Sequence, residues 1–464
     1  MTSATSPSLL TDRYELTMLT SFVTDGSVQH PAVFEAFARR LPEGRRYGVL
    51  AGLGRLLPLV DNFTFDPDEV DWLRSQGVVN DVTADYLRDF RFTGDIDAYP
   101  EGDLYFPGSP ILTVRGTLGE CVVLETLILS VLNHDSAIAS AATRMVTAAG
   151  GRGGRPLVEM GSRRTHEDAA VAVARAAYVA GFASSSNLAA GRLHDVPTVG
   201  TAAHAFTLAY RSEAEAFRSQ IDAQGLGTTL LVDTYDIAKG IRTAVEVAGP
   251  GLGAIRIDSG DLAEESAAAR ALLDRIGATK TRIIVTSDLD EYVITALADA
   301  PIDGYGVGTR IATGSGHPTA SMVYKLVAVA DSVDGPLRPV AKTSHDKLSV
   351  GGHKTAYRAY DDDGVLVREW YRTDGQDPGC VPVQVAAIRG GRIVHAPTIG
   401  EVRDHCAVAL ATLPPAAHGV SSAEPYLSAT LDTSPTTSPT TSSAPGPIPG
   451  PALSPTPSTK GAAR

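Results

Sequence analysis

Cysteine is scarce in this chain: Cys121, Cys380 and Cys406 are the only three in 464 residues. They are too far apart to form a Cys-x-x-Cys pair, so no zinc signature is present, and an odd, sparse set fits a reducing compartment. The patterns GxxxxGK[ST] and GxGxxG are both missing, which leaves P-loop NTPases and dinucleotide dehydrogenases without their usual marks. Positive charge is in deficit: 40 Lys and Arg against 53 Asp and Glu give a net charge of -13 and a pI near 5.3. A polyanion binder needs a basic face, so nucleic acid is not expected as a partner, whereas an anionic small molecule needs only a local arginine cluster. The N-terminus has no basic region followed by an apolar run. The apolar stretch 121–132 is broken by Glu125 and is too short to span a bilayer. The chain therefore reads as cytoplasmic, with no membrane partner.

What is present is ordinary globular composition, 43% hydrophobic and 20% charged, with length enough for two or three domains. Residues 1–140 read as an α+β domain: a helix over 9–22 with a start signal at Thr11-Asp12, strands over 32–38, 94–107 and 111–116, then an apolar helix over 120–132. Residues 141–335 alternate short apolar runs with Ala-rich helical stretches. Runs at 156–160, 230–232, 254–257, 283–286 and 304–308 are followed by helical stretches, those near 167–180, 238–248, 262–276 and 291–299 being the clearest. The interval is that of a βα unit and predicts a parallel sheet, open or closed into a barrel. Residues 336–420 read as β-rich, with strands over 342–354, 356–360 and 365–370, a hairpin turn at 361–364, and packing against the first domain. Ser, Thr, Pro and Gly dominate 421–464, which reads as a disordered tail.

The chemistry follows the apolar runs, because the carboxyl ends of parallel strands form the active-site face. Leu231-Val232 leads into Asp233 and Asp236, Ile255-Arg256-Ile257 into Asp258 and Asp261, and Val285 into Thr286-Ser287-Asp288. Helix capping alone accounts for Asp261 and Asp288. Gly306 and Gly308, ahead of Thr309, form either a tight turn or a phosphate loop of backbone N–H groups. Arg163 and Arg164 form either surface ion pairs or a forked anion site, and His166 can serve the following helix start. His204 is either structural or, if oriented by Asp233, Asp236 or Asp258, a nucleophile toward a phosphoryl group. The strand ends carry no lysine, which counts against a Schiff-base aldolase.

Ten segments in order resemble the nicotinate phosphoribosyltransferase family. They include LLTDRYELTM at 9–18, FEAFARRLPEGRRYGVLAGL at 34–53, VEMGSRRTHEDAA at 158–170, LVDTYD at 231–236, IRIDSGDL at 255–262, YGVGT at 305–309 and KTSHDKLSVGGHKTAYR at 342–358. The resemblance covers nearly all of 8–415. It implies a type II phosphoribosyltransferase fold, an irregular α/β barrel joined to an α+β domain built from both ends of the chain, in a head-to-tail homodimer with a shared site. It implies transfer from phosphoribosyl pyrophosphate to nicotinate, giving nicotinate mononucleotide and pyrophosphate in NAD salvage, with Mg²⁺ required and ATP hydrolysis coupled through a phosphohistidine.

By the same resemblance His204 is the phosphorylated histidine and Asp258 the carboxylate beside the ribosyl group. Tyr14 (reaching into the neighbouring subunit), Thr201 and Arg256 contact nicotinate, while Arg163, Gly306, Gly308, Thr309 and Ser349 hold the phosphoribosyl donor. No metal ligands are assigned. Two departures stand out: Met160 where the family often has a stacking Phe, and Ser184-Ser185-Ser186-Asn187 where it has Gly-Thr-Ser-Asn. The competing readings are a phosphoribosyltransferase for nicotinamide or quinolinate, another metabolic barrel enzyme, and a non-catalytic regulatory protein on the same scaffold.

Overall fold

The computed structural model describes residues 6–342, 350–373, 375, 377 and 379–434. A 3₁₀ turn over Pro7–Leu10 leads into its first α-helix, Arg13–Asp25, entered through Asp12 and ended by Gly26 at φ +83°, a conformation glycine adopts without strain. The strand Pro31–Ala38 follows, and all but its first residue are buried. It lies inside a seven-stranded sheet, ordered Leu337–Pro339, Met322–Ala330, Pro31–Ala38, Pro110–Thr117, Asp95–Ala98, Val385–Arg389 and Arg392–Ile393. Three helices beside it, Leu53–Asp61, Pro67–Ser75 and Asp81–Arg88, have no counterpart among the expected elements. The second starts with a capping box between Asp66 and Glu69 and Pro at its first position, a start signal present in the sequence.

Two of the expected segment boundaries move. Met322–Ala330 lies before residue 335, yet it pairs antiparallel with Pro31–Ala38, from Ala32 opposite Val329 to Ala38 opposite Met322. Apolar packing sets this register: Phe34 stacks on Tyr324 at 5.0 Å between ring centroids. The tail also starts later than 421. Tyr426 N–H donates to the Arg46 carbonyl at 2.7 Å, Ala429 N–H donates to the Pro107 carbonyl at 2.9 Å, and Thr430–Leu431 pairs with Trp370 and Tyr371. Such backbone bonds leave no trace in composition. Residues 435–464 lie outside the described residues.

The second sheet is parallel throughout. Its six strands run Ser184–Ser185, Leu157–Glu159, Gly304–Val307, Arg282–Ser287, Ala254–Ile257 and Thr229–Leu231, curled into a half-barrel. Helices Glu167–Val179, Leu188–His194, Ile237–Ala248, Leu262–Arg275, Glu291–Ala296 and Thr309–Ala312 follow the strands. Leu230, Val232, Ile255, Ile257, Ile283, Val285, Tyr305 and Val307 form the centre of this unit's core.

A helical run over Leu118–Ala148 connects the two units and is longer than the apolar stretch read from the sequence. It is long and apolar enough to cross a membrane, but two-thirds of its most apolar window is buried inside the protein. Among the last elements, Thr355–Tyr360 and Leu366–Arg372 form the expected hairpin. The helix Ile399–Ala411, with a Thr398–Glu401 capping box, interrupts the region read as β-rich. Residues 350–354 are not a strand, and 343–349 lie outside the described residues.

Candidate active site

The carboxyl ends of the parallel strands bring one arginine and one aspartate together. Arg256, in the buried strand Ala254–Ile257, is only 8% exposed. A guanidinium so deeply buried needs its donors satisfied, and here they are. Nε–H donates to the Thr286 hydroxyl at 2.9 Å, and Nη1 donates to Thr201 Oγ1 at 3.1 Å and to the Ala202 carbonyl at 3.3 Å. Nη2 lies 3.1 Å from Asp258 Oδ1. The Thr286 hydroxyl in turn donates to Asp258 Oδ1.

His204 opens the short helix His204–Leu208. Its Nε2 lies 3.1 Å from Asp233 Oδ1, with the imidazole 41% exposed and the carboxylate 1% exposed. The other oxygen of Asp233 accepts from the Asp258 N–H at 2.7 Å and the Ser259 hydroxyl at 2.8 Å. Asp233 therefore joins the histidine to the Asp258 backbone. Asp236, the other acidic residue on that turn, caps the helix Ile237–Ala248 by accepting from the Lys239 N–H at 2.7 Å. Asp261 caps its helix as expected, whereas the cap of Glu291–Ala296 is Asp290, not Asp288.

Anion-binding groups lie beside these residues. Met160, Arg163, Arg164, Arg256, Asp258, Thr286, Asp288, Gly306, Gly308 and Thr309 line one cleft of about 220 Å³. Arg163 and Arg164 are exposed and form no ion pair among the described residues, so the surface-pair reading does not hold for them. Gly306 is required by close packing: a Cβ there would fall 2.5 Å from Thr286 Cγ2 and 2.7 Å from Met160 Sδ. Met160 therefore occupies the floor of the cleft, where its thioether can pack against a flat ring. Beneath the arginine turn, the carboxylate of Glu159 is fully buried and accepts from the Gly161 N–H and from the Ser185 hydroxyl at 2.5 Å. Burial pushes its pKa up against those two bonds. Asn187 ties the two turns together by donating to Ser162 Oγ at 3.1 Å.

Thr201 and His204 adjoin this cleft through Arg256 and Asp233 without lining it, and Tyr14 is not among its lining residues. Tyr14 stands on the helix Arg13–Asp25, 46% exposed, and faces Glu125; its phenol pKa is raised by burial first and then by that carboxylate. Ser349 lies outside the described residues. Conversely, Thr286, Asp288 and Arg164 line the cleft but were not assigned to it, and Glu159 supports the turn that carries Arg163 and Arg164. A larger cavity of about 580 Å³ lies at the other end of the strands, between the Gly150–Arg155 loop and the helix Ile399–Ala411, and contains none of these groups.

Residues 9–133 match the nicotinate phosphoribosyltransferase (NAPRTase) N-terminal domain family. The chain is 55% identical over 418 residues to a nicotinate phosphoribosyltransferase of Mycobacterium tuberculosis, covering 88% of this chain and 91% of that one. It is 38% identical over 364 residues to the nicotinate phosphoribosyltransferase of Bacillus subtilis, covering 76% and 73%. The crystal structure of the human nicotinic acid phosphoribosyltransferase superposes with a TM-score of 0.75 at 24% identity, over 91% of this chain and 97% of that one, and shares its fold. With a matching domain, closely similar relatives along most of its length and the same architecture, this chain belongs to the nicotinate phosphoribosyltransferase family.

Proposed function

We propose that the cleft transfers the phosphoribosyl group of phosphoribosyl pyrophosphate to the ring nitrogen of nicotinate, releasing nicotinate mononucleotide and pyrophosphate for NAD salvage in the cytoplasm. The observation that carries this is the convergence of Arg256, Thr201 and Asp258 beside the Gly306–Thr309 loop. Arg256 pairs with the nicotinate carboxylate, a charge that nicotinamide lacks. Asp258 faces the positive charge that develops on the ribose as its bond to pyrophosphate breaks. Arg163 and the backbone around Gly306, Gly308 and Thr309 take the phosphates.

His204 is the proposed site of phosphorylation by ATP. Its exposed ring, held from below by Asp233, leaves Nδ1 free to attack phosphorus. Among the described residues no group of three or more His, Cys, Asp or Glu forms a metal cage. Mg²⁺ needs only one or two carboxylates plus substrate phosphates, and Asp258 and Asp288 at the cleft offer them. When bound, the ion neutralises the departing pyrophosphate. A head-to-tail homodimer fits the exposed apolar side chains: Leu188, Leu208 and Tyr235 on the half-barrel unit, and Leu10 and Tyr14 on the N-terminal unit. In that pairing Tyr14 reaches the partner's cleft.

The test is product analysis after incubation with phosphoribosyl pyrophosphate, Mg²⁺ and ATP and, separately, nicotinate, nicotinamide or quinolinate. Nicotinate mononucleotide is expected from the first base alone. Turnover of nicotinamide at a comparable rate overturns the assignment of Arg256, and turnover of quinolinate at a comparable rate overturns the choice of nicotinate as the base.

A further inference from the structure

Thr286 lies where the base, ribose and phosphate sides of the cleft meet. It sits in the strand Arg282–Ser287 and is 3% exposed. One hydroxyl serves two partners, accepting from Arg256 Nε at 2.9 Å and donating to Asp258 Oδ1. A hydroxyl can do both at once because it has one hydrogen and two lone pairs. Its methyl group fills the space that a side chain at Gly306 would need.

The remaining donors of Arg256 are held differently. Thr201 and Ala202 are partly exposed, so an incoming carboxylate can take their place on Nη1. The Nε contact to Thr286 is buried behind the guanidinium and stays. Arg256 also lies 3.1 Å from Asp258, two residues along its own chain. Without the bridging hydroxyl, the shortest way to satisfy Nε–H is a two-pronged pairing of the guanidinium with that carboxylate. Such a pairing neutralises the charge meant for the substrate.

We propose that Thr286 is a positioning residue: it keeps Arg256 and Asp258 bridged but not fully paired, and so sets the preference for an anionic over a neutral pyridine ring. The inference rests on Arg256 being the nicotinate anchor, and the test separates the two. Thr286→Val removes the hydroxyl at nearly constant shape, and Thr286→Ser keeps the hydroxyl without the methyl. Steady-state kinetics with nicotinate, nicotinamide and the donor are compared with those of Arg256→Ala.

Thr286→Val is expected to raise KM for nicotinate about ten-fold, the effect of losing one hydrogen bond to a charged group. The nicotinate-to-nicotinamide ratio of kcat/KM should fall in step, with a smaller change in the donor KM. Thr286→Ser should restore both. An unchanged ratio in Thr286→Val overturns the proposal, and so does a Ser variant as impaired as the Val variant, which assigns the effect to packing on Gly306. If Thr286→Val does not fold, Thr286→Ala against Thr286→Ser makes the same comparison. If Arg256→Ala leaves KM for nicotinate unchanged, the anchor reading itself fails. If Arg256→Ala raises it and Thr286→Val does not, only the role of Thr286 is lost.

Discussion

Asp233→Asn changes one charge and almost no volume, and it isolates the histidine. In the wild type one carboxylate oxygen faces His204 Nε2 at 3.1 Å and the other accepts from the Asp258 N–H at 2.7 Å and the Ser259 hydroxyl at 2.8 Å. Only oxygen can serve the second pair, so the new amide NH₂ must turn toward His204. The imidazole then accepts at Nε2 and carries its proton on Nδ1, which removes the lone pair needed to attack phosphorus. A hydrogen bond to a charged group contributes about 1.5–3 kcal/mol. With the ring 41% exposed, solvent screening favours the lower end, so the expected loss is on the order of ten-fold. Rapid-quench measurement of phosphoryl transfer from ATP to the enzyme reads this directly, and ³¹P NMR of the product locates the group, expected on Nδ1. Phosphorylation of Asp233→Asn at the wild-type rate, or a phosphoryl group on Nε2, refutes the reasoning.

Three further outcomes follow from the same geometry. Gly306→Ala pushes a methyl group into Thr286 Cγ2 and Met160 Sδ; overpacking of this kind costs about 1–3 kcal/mol, to be seen as a lower Tm with weakened donor binding. Asp103 is buried, yet Arg358 and His405 outweigh the burial and hold its pKa down to about 2. A depressed carboxylate stabilises the fold above its unfolded value of about 3.9, and that contribution is lost as pH falls toward its folded value. Urea midpoints should therefore drop between about pH 4 and pH 2 in the wild type, and Asp103→Asn should flatten that slope while lowering stability near neutral pH. Finally, at nicotinate well below their KM, Tyr14→Ala and Arg256→Ala are each expected to be strongly impaired, and mixing them under subunit exchange should regain activity, because one site in the mixed dimer is intact; no recovery would place Tyr14 outside the partner's cleft.

The strand-end residues were legible because position within a βα unit is a local property. Arg256 and Asp258 belong to one strand and its exit, and the alternation of apolar runs with helices placed that exit on the functional face. Which residues meet across strands was not legible. Thr286 meets Asp258 from 28 residues away, and nothing in either segment encodes the partner. Asp233 and Asp236 stood equal in sequence as candidates to orient His204; the difference is that Asp236 immediately precedes a helix and its oxygen is taken by the Lys239 N–H. Residues 421–434 misled for a related reason: Ser, Thr and Pro predict little burial, but Tyr426 and the backbone bonds of the segment are satisfied by Arg46, Pro107 and Leu366, all distant in the chain.

The histidine and the groups that hold the base anchor are neighbours along the chain. Thr201 and Ala202, which hold Arg256 Nη1, and His204, which meets Asp233, belong to one four-residue stretch. A neutral imidazole can carry its proton on either nitrogen. If, as proposed, the γ-phosphoryl group of ATP bonds to Nδ1 as ADP leaves, only Nε2 can hold a proton, and losing it would set a lone pair against the buried Asp233 carboxylate. Asp233 already favours the Nε2–H form, and phosphorylation removes the minor alternative, which fixes the charge-assisted contact and tightens the stretch that carries Thr201 and Ala202. The effect on nicotinate is then a matter of pre-organisation: the phosphoenzyme should bind the base more tightly than the unmodified enzyme, by equilibrium dialysis without the donor. In Asp233→Asn, phosphorylated chemically to the same extent with phosphoramidate, the difference should vanish. If it persists there, the histidine acts on the base through some route other than Asp233.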